Sequence, residues 1–280
     1  MPQRPQRPKL GQNFLVSPTA QAAIADALGD LTHRTVVEIG PGRGAITTLL
    51  APRARRLILI ELDRDLSARL RTQFADRPSI EILQQDILTT DLAALRSNPD
   101  ERLQIVGNLP YYITSDILLH LFRAHASIDR TVIMTQREVA DRIAAHPGTR
   151  DYSLLSVTAQ LYARVENLFT LPPEAFSPPP QVHSTVLRLT MAPRFAELGL
   201  AAGQNSPDSA ASFLQFLRLT FAQKRKTLAN NLRASGYTPA AIAAALDSAS
   251  IASHSRTEQL DLTTLATLFH ALRGQVSPPG

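Results

Sequence analysis

The fold is decided by the stretch Val36-Val37-Glu38-Ile39-Gly40-Pro41-Gly42-Arg43-Gly44. An apolar, β-branched run leads into a turn with three glycines, and a helical pattern follows the turn. Glycines in such a turn permit a tight bend and a close approach of the backbone to a ligand. The spacing is G-x-G-x-G, which differs from the dinucleotide pattern G-x-G-x-x-G, and no phosphate-binding G-K-[ST] follows. The stretch predicts a strand, a ligand-binding turn and a helix.

Short apolar runs alternate with helical patterns on both sides of this stretch, as is typical of parallel strands joined by crossover helices. The predicted strands are Thr35–Ile39, Leu57–Glu61, Ile80–Leu83, Leu103–Val106 and Thr131–Thr135, followed by two closing strands, Val165–Leu171 and Thr185–Thr190. The predicted helices are Gln21–Leu28, Ala45–Leu50, Leu66–Phe74, Ser115–Phe122 and Arg137–Ala145. We therefore expect an α/β fold with a doubly wound, mostly parallel, seven-stranded Rossmann-like sheet, in which one closing strand is antiparallel.

Strand patterns cease after Pro193, and an Ala- and Leu-rich region with helical spacing follows the loop at 203–207. One face of a single helix would carry Leu214, Leu217, Phe221, Leu228 and Leu232. Arg225 falls on the same face, so we expect either a helix break near Gln223–Lys224 or a paired Arg225. The predicted organisation is a flexible basic arm over residues 1–10, an α/β domain over 11–193 and a small all-α domain over 200–275.

The composition restricts the classes of function. The chain has 280 residues, of which 44% are apolar, and no apolar run approaches the ~20 residues that span a bilayer. No apolar signal segment lies near residue 1. Cysteine is absent, which excludes disulfides, thiolate metal ligands and a cysteine nucleophile. We expect a soluble, cytoplasmic protein, a monomer, with no membrane partner and no metal site.

The excess of positive charge is confined to two patches. The first contains Arg4, Arg7 and Lys9, and the second contains Arg218, Lys224, Arg225, Lys226 and Arg233. Because the whole chain has a formal charge of +5, the residues outside these eight cations carry about −3. Such confinement favours a surface that meets a polyanion, although a solvated tail and one basic helix would give the same pattern.

Three acids lie within or after successive predicted strands. Glu38 lies inside an apolar strand, where an unpaired carboxylate is costly, so it should accept hydrogen bonds from the turn or face a cationic ligand. Glu61 ends the second strand, 21 residues after Gly40, where a carboxylate can accept both ribose hydroxyls. Asp86 follows the third strand and can accept from an adenine amino group, while the N–H of Ile87 bonds a ring nitrogen. The alternative for each acid is a helix cap.

The acceptors suit a ribose and an adenine, and no cation cluster for phosphates accompanies them. S-adenosylmethionine therefore fits better than NAD or ATP. A fourth feature, Asn108-Leu109-Pro110-Tyr111, follows the Leu103–Val106 run. An amide acceptor beside an aromatic ring suits the exocyclic amino group of a nucleobase, and the alternative is a loop with Tyr111 in the core. Its position after the three acids, at the same predicted edge, favours the nucleobase site.

With these residues assembled, the chain resembles the rRNA adenine N6,N6-dimethyltransferases, and most closely the small-subunit (16S) type linked to kasugamycin sensitivity. The resemblance spans nearly the whole chain. It rests on Gly11-Gln12-Asn13-Phe14-Leu15, Glu38-Ile39-Gly40-Pro41-Gly42, Glu61-Leu62-Asp63, Gln85-Asp86, Asn108-Leu109-Pro110-Tyr111, Gln136-Arg137-Glu138-Val139-Ala140, Tyr152-Ser153-Leu154-Leu155-Ser156-Val157, Phe176-Ser177-Pro178-Pro179-Pro180-Gln181-Val182 and Phe221-Ala222-Gln223-Lys224-Arg225-Lys226-Thr227-Leu228.

The resemblance implies methyl transfer from S-adenosylmethionine to N6 of adenosine in small-subunit rRNA, with two adjacent adenosines near the 3′ end dimethylated during maturation of the 30S particle. It implies cofactor contacts by Gln12, Asn13, Leu15, Glu38, Gly40, Gly42, Glu61, Leu62, Asp86, Ile87 and Asn108. The adenine pocket would comprise Asn108, Leu109, Pro110, Tyr111 and Phe176, and the RNA contacts would come from Arg218, Lys224, Arg225 and Lys226. Two residues depart from the family: His183 stands where an acid is usual, and Lys224 where Arg is common.

Three alternatives remain. One is a large-subunit rRNA methylase of the macrolide-resistance type, and another is an N6-adenine DNA methyltransferase, against which Leu109 counts. The third is a ribosome-assembly or nucleic-acid-binding factor that keeps the fold without turnover. The presence of Glu61, Asp86 and Asn108 together argues against lost catalysis.

Overall fold

The computed structural model describes residues 13–200 and 209–273. The predicted basic arm with Arg4, Arg7 and Lys9, the predicted cofactor contact Gln12 and the predicted loop at 203–207 lie outside the described residues.

The described strands are β1 (Phe14–Leu15), β2 (Thr35–Ile39), β3 (Arg56–Ile60), β4 (Ile80–Leu83), β5 (Leu103–Asn108), β6 (Ile128–Gln136), β7 (Ala163–Leu171), β8 (Phe176–Ser177) and β9 (Ser184–Met191). A seven-stranded sheet has the order β4-β3-β2-β5-β6-β9-β7, and a separate two-stranded sheet pairs β1 with β8. The pairings among β2 to β6 are all parallel. The N–H of Arg137, after β6, donates to the carbonyl of His183, before β9, at 3.0 Å, as antiparallel neighbours require.

Helices connect these strands and form the C-terminal part of the described chain. They are α1 (Pro18–Ala27), α2 (Thr47–Leu50), α3 (Arg64–Gln73), α4 (Thr114–Arg123), α5 (Arg137–Ala144), α6 (Leu154–Tyr162), α7 (Ala210–Thr220), α8 (Leu228–Ala234), α9 (Pro239–Ser248) and α10 (Leu262–Ala271). Within the described ranges, no helix is long and apolar enough to cross a membrane.

The predicted fold class is confirmed, and most boundaries fall within a few residues of their predicted positions. β2 and β4 agree residue for residue, and β3 begins and ends one residue earlier than predicted. Every residue of β2 is buried, as expected for a strand with helices on both faces. Helix α1 begins three residues early, because the Ser17 hydroxyl accepts from the N–H of Ala20 and Pro18 fits the first turn. Helix α6 was not predicted.

Close packing of β5 against β2 depends on Gly107. A Cβ built on Gly107 would lie 2.8 Å from the carbonyl oxygen of Ile39, a backbone atom that cannot move aside without distorting β2. Glycine is therefore needed at Gly107 so that the end of β5, which carries Asn108, lies beside the end of β2.

The chain forms two compact units, one of residues 1–137 with 167–188 and the other of 138–166 with 189–280. In the first unit, a hydrophobic cluster joins the strands to helix α1 and includes Ile24, Val36, Leu59 and Val106. In the second, aromatic rings of α7 and α10 pack together, with the Phe213 and Phe269 centroids 5.3 Å apart. The domain boundary expected between residues 193 and 200 stays a prediction.

The expected helix break in the basic region is present. Helix α7 ends at Thr220 and α8 begins at Leu228, where the Thr227 hydroxyl accepts from the N–H of Asn230. Arg225 lies in the irregular segment between them and is exposed, so it is not forced into an apolar face.

Candidate active site

The register of the parallel strands aligns the predicted site residues along one edge of the sheet. Ile39 pairs with Ile60 of β3 and with Gly107 of β5. The residues that follow these partners are Gly40, Glu61 and Asn108, so these three lie side by side where the strands end. β4, whose Leu83 pairs with Ile60, adds the loop that carries Asp86. Four predicted site positions therefore lie at one edge of the sheet: Asp86, Glu61, Gly40 and Asn108, in the order β4, β3, β2, β5.

The glycine turn is held by Glu61. The N–H of Gly42 donates to Glu61 Oε2 at 3.1 Å, and the N–H of Asp63 donates to Glu61 Oε1 at 2.9 Å. Gly40 and Gly42 have φ values of +63° and +59°, which side-chain-bearing residues rarely adopt. Burial raises the pKa of Glu61 above its usual value, and the hydrogen bonds from Asp63 and Gly42 oppose that rise.

Open space lies in front of this turn. A Cβ built on Gly40 would meet nothing closer than the Asn108 carbonyl oxygen, at 3.9 Å. Gly40 is exposed, and Leu62, which follows the Glu61 carboxylate, has 44% of its surface exposed. A backbone turn without side chains, a carboxylate and an exposed apolar side chain together suit a nucleoside with a ribose and a flat base.

Glu38 is buried and paired. It is 2% exposed, and the Thr47 hydroxyl donates to its Oε2 at 2.6 Å. Burial raises the pKa of Glu38 to about 7, the Thr47 hydrogen bond opposes the rise and the nearby charge of Glu61 adds to it. The sequence predicts that Glu38 accepts from the glycine turn or faces a cationic ligand, but its donor is Thr47, in the first turn of α2.

A glutamine at position 38 should remove a pH dependence of stability. The pKa of Glu38 is raised on folding, so the folded state binds more protons between about pH 4.5 and pH 7, and stability is lost as the pH rises through that window. Glu38→Gln cannot ionise. Its free energy of unfolding, relative to the unmodified chain, should therefore rise by roughly 2–3 kcal/mol between pH 4.5 and pH 8. Denaturant titrations of the ligand-free protein measure this, and parallel stability curves for both proteins would contradict it.

Asp86 has one carboxylate oxygen engaged. Its Oδ1 accepts from the N–H of Leu88 at 2.9 Å, which caps the short turn Ile87–Thr89. Asp86 therefore does act as a cap, which is the alternative role. A carboxylate has a second oxygen, and because Asp86 is partly exposed, that oxygen can also accept from a ligand. Ile87 is buried, with 6% of its surface exposed.

The side chain of Asn108 is oriented by a backbone carbonyl. Asn108 Nδ2 donates to the carbonyl oxygen of Asn13 at 3.2 Å. Because a carbonyl can pair only with the amide nitrogen, Oδ1 points away from Asn13. No donor to Oδ1 is found among the residues that the structure describes, so this oxygen is available to a ligand. Next to it, the Leu109 N–H is engaged by the Met134 carbonyl at 2.9 Å, which fixes the following backbone.

The two tyrosines after Pro110 differ in their surroundings. The Tyr111 hydroxyl is 3.1 Å from Ser184 Oγ, and the ring is partly buried. Tyr112 is 67% exposed. Pro110 leads into the short helical turn that carries both rings, and its carbonyl accepts from the Thr114 hydroxyl at 3.0 Å. The structure thus anchors the hydroxyl of Tyr111, three residues after Asn108.

Phe176 is paired with the segment that orients Asn108. Leu15 pairs with Phe176 and Phe14 with Ser177 in the antiparallel β1–β8 ladder. Phe176 is 3% exposed and belongs to the hydrophobic cluster that also contains Leu15. The place in the adenine pocket that the resemblance implies for Phe176 therefore requires this ring to turn out of that cluster.

The predicted RNA contacts lie on exposed segments of the second unit. Arg218, at the end of α7, and the run Lys224 to Lys226 are all exposed. Lys224 Nζ donates to the carbonyl oxygen of Arg150 at 2.7 Å, so part of its hydrogen-bonding capacity is used within the protein. His183 is exposed, and its carbonyl accepts from the N–H of Arg137.

Two contributions to the site were missed from the sequence. The sequence predicts no role for Ser184, and it does not predict the β1–β8 pairing that brings Asn13 to Asn108. It does carry a signal for the second, because Asn13-Phe14-Leu15 and the Phe176 segment are both motifs of the resemblance. Two-residue strands have no periodicity from which a pairing could be derived.

Comparisons with known proteins show the family of the chain. The profile of the family described as "Ribosomal RNA adenine dimethylase" matches residues 4–273. The chain is 61% identical to the ribosomal RNA small subunit methyltransferase A of Acidobacterium capsulatum, over 95% of this chain and 91% of that protein. It is 52% identical to the protein of the same name from Koribacter versatilis, over 95% of this chain and 94% of that protein.

Two solved structures have a similar fold. A dimethyladenosine transferase from Plasmodium falciparum superimposes with a TM-score of 0.78 at 22% identity, covering 94% of this chain and 98% of the other. The 23S rRNA methyltransferase ErmE superimposes with a TM-score of 0.68 at 27% identity, covering 93% of this chain and 99% of the other.

Proposed function

Because the chain belongs to the ribosomal RNA adenine dimethylase family, we propose that it transfers methyl groups from S-adenosylmethionine to N6 of adenosine in small-subunit ribosomal RNA. The observation that carries this proposal is the orientation of Asn108, whose Nδ2 is taken by the Asn13 carbonyl and whose Oδ1 faces away from it. The expected target is two adjacent adenosines near the 3′ end, dimethylated on an immature 30S particle by a monomer in the cytoplasm.

The cofactor site is built from the glycine turn and three acids. Gly40 gives a backbone surface that no side chain covers closely, Gly42 gives the N–H that Glu61 holds, and Glu61 can also accept from ribose hydroxyls. The second oxygen of Asp86 can accept from the adenine amino group, and Leu62 can cover the base. The remaining cofactor contacts would come from Asn13, Leu15, Glu38 and Ile87, together with Gln12, which lies outside the described residues. Bound here, S-adenosylmethionine supplies an electrophilic methyl group on a sulfonium.

Asn108 would prepare the nucleophile. The N6 lone pair of adenine is delocalised into the ring, so the amino group is a poor nucleophile as it stands. Hydrogen bonds from N6–H to Asn108 Oδ1 and to the Leu109 carbonyl favour a pyramidal nitrogen, whose lone pair then points away from both acceptors. Alignment of this kind is the principal contribution the protein makes when a cofactor carries the reactive group. The methylated nitrogen is acidic enough to lose its proton to water, so no general base is needed.

Tyr111 should act through its ring. Stacking on a base contributes ~1–3 kcal/mol, which helps to offset the unstacking of the adenosine from RNA. Tyr111→Ala should therefore lower kcat/KM by roughly ten- to a hundredfold. Tyr111→Phe keeps the ring and loses only the hydrogen bond to Ser184, so a decrease of less than about tenfold is expected. Steady-state methyl transfer to RNA measures both.

Ser184→Ala is the matched control for Tyr111, since it removes the same hydrogen bond from the other side. It should match Tyr111→Phe. If Tyr111→Ala and Tyr111→Phe lower kcat/KM equally, the ring of Tyr111 does not act by stacking.

The exposed cations between α7 and α8 should bind phosphate. Log affinity for RNA falls linearly with log salt, with a slope proportional to the number of phosphates neutralised. Arg225→Ala combined with Lys226→Ala should make that slope shallower by roughly 1–2. The control, Arg69→Ala with Arg123→Ala, removes two exposed cations from α3 and α4. Fluorescence anisotropy across a salt series measures the slope, and equal slopes for both pairs would mean that the basic segment does not contact RNA.

The alternatives are less well supported. Identity to small-subunit methyltransferases reaches 61%, whereas identity to the 23S rRNA methyltransferase is 27%. A DNA substrate finds no support among these relatives. A factor without turnover does not require an oriented Asn108 amide or a second Asp86 oxygen that can accept from a cofactor.

Transfer of tritiated methyl groups tests the proposal. The acceptors are small-subunit particles and large-subunit rRNA from cells that lack this protein, and duplex DNA is included. Label on small-subunit adenosine N6 alone is expected. Label on large-subunit RNA or DNA, or no label, would reject the substrate or the activity.

A further inference from the structure

Strand β1 and the residue before it contact three parts of the candidate site. The Asn13 carbonyl accepts from the Asn108 amide at 3.2 Å. Leu15 pairs with Phe176, which β8 carries. Phe14, between them, contacts the glycine turn that we assign to the cofactor. The resemblance implies cofactor contacts for Asn13 and Leu15 and no role for Phe14.

The Phe14 ring contacts both the backbone of the turn and a cation. A Cβ built on Gly42 would be 3.1 Å from Phe14 Cε1, so the ring rests directly on that glycine. The Arg43 guanidinium carbon is 4.2 Å from the ring centroid, within the ~6 Å range of cation–π attraction. The N–H of Gly42 donates to Glu61 Oε2 at 3.1 Å. The ring is thus tied to the same turn that Glu61 holds.

We propose that Phe14 is a positioning residue for methyl transfer: its ring, held by Gly42 and Arg43, fixes the Asn13 carbonyl that keeps the Asn108 amide oxygen directed at the substrate. The inference rests on the proposed function. An amide that loses its carbonyl partner can rotate by half a turn, which would present a donor to N6–H where an acceptor is needed. Misplacement by about 1 Å near reacting atoms can cost ~10²-fold in rate.

The surroundings of Phe14 separate this role from simple packing. Phe14 is partly exposed, and it is not a member of the hydrophobic cluster that contains Leu15 and Phe176. Its contacts with Gly42 and Arg43 lie on the turn that we assign to the cofactor. A residue that served only the core would have its contacts within that cluster.

The test compares three variants of the full chain. Phe14→Leu keeps an apolar side chain and removes the flat ring, and Arg43→Met removes only the cation. Arg64→Met is the matched control. Arg64 is also an exposed arginine that follows a strand end, and among the described residues it contacts no aromatic ring. We expect kcat to fall about 10- to 100-fold for Phe14→Leu and about two- to fivefold for Arg43→Met. Arg64→Met should be unchanged, and the Kd for S-adenosylmethionine should stay within about threefold throughout.

A spectroscopic readout follows the amide itself. The ¹⁵N–¹H side-chain signals of Asn108 are identified by their absence in Asn108→Ala. They should shift in Phe14→Leu, since the hydrogen bond to Asn13 is disturbed, and stay in place in Arg64→Met. Unmoved signals, or a kcat of Phe14→Leu within threefold of the unmodified protein, would overturn the inference. If Phe14→Leu fails to fold, Arg43→Met tests the inference in its place. A kcat of Arg43→Met equal to that of Arg64→Met would then overturn the inference. Absence of methyl transfer by the unmodified chain would instead reject the proposed function, and the amide signals still test Phe14.

Discussion

Asn108→Ala is expected to lower kcat for methyl transfer by at least about 10²–10³-fold, the size of effect seen when one preorganised group aimed at reacting atoms is removed. The amide oxygen is the acceptor for N6–H, and alanine offers none. The Asn13 carbonyl would also lose its partner at 3.2 Å, but that group can bind water at this partly exposed edge. The Kd for S-adenosylmethionine should therefore change by less than about tenfold.

Single-turnover kinetics with saturating cofactor isolates this effect, because it separates the chemical step from product release. Asn98→Ala is the matched control, since Asn98 is an exposed asparagine in the loop before β5. It should leave kcat unchanged. Substantial turnover by Asn108→Ala would reject Asn108 as the acceptor of the N6 proton.

Glu61→Ala is expected to weaken S-adenosylmethionine binding by about 10²-fold or more. Two functions are lost together: the acceptor for ribose hydroxyls and the anchor for the N–H groups of Gly42 and Asp63. Hydrogen bonds to a charged group contribute about 1.5–3 kcal/mol each, and loss of the ribose bonds alone accounts for that decrease.

Glu61→Gln separates the two functions. Its amide oxygen can still accept one hydrogen bond, but its NH₂ group opposes an N–H that previously donated to a carboxylate oxygen. An intermediate Kd is expected from calorimetric titration. A Kd for Glu61→Ala equal to that of the unmodified chain would mean that the cofactor lies elsewhere.

The sheet and the acids could be predicted from the sequence because their signals are local. β2 and β4 are short, mostly apolar runs, each with one glutamate, that end in a turn or a polar residue, and parallel strands must bring those ends to one edge. The helix break before Leu228 followed from the position of one cation, Arg225, on an apolar face. These inferences needed only periodicity and the cost of burying charge.

Long-range pairings escaped prediction. The contact of Asn13 with Asn108 spans 95 positions, and the Tyr111 to Ser184 contact spans 73. Both depend on the backbone path of segments without regular structure, which local patterns do not specify. The burial of Phe176 likewise results from its pairing with Leu15, so its sequence motif could not reveal it.

Mass spectrometry of ribosomal RNA from cells that lack this protein tests the central claim most directly. Small-subunit RNA from these cells should contain no N6,N6-dimethyladenosine near its 3′ end, and the unmodified chain should restore it whereas Asn108→Ala should not. Dimethyladenosine that persists in small-subunit RNA without the protein, or that is restored by Asn108→Ala, would contradict the account.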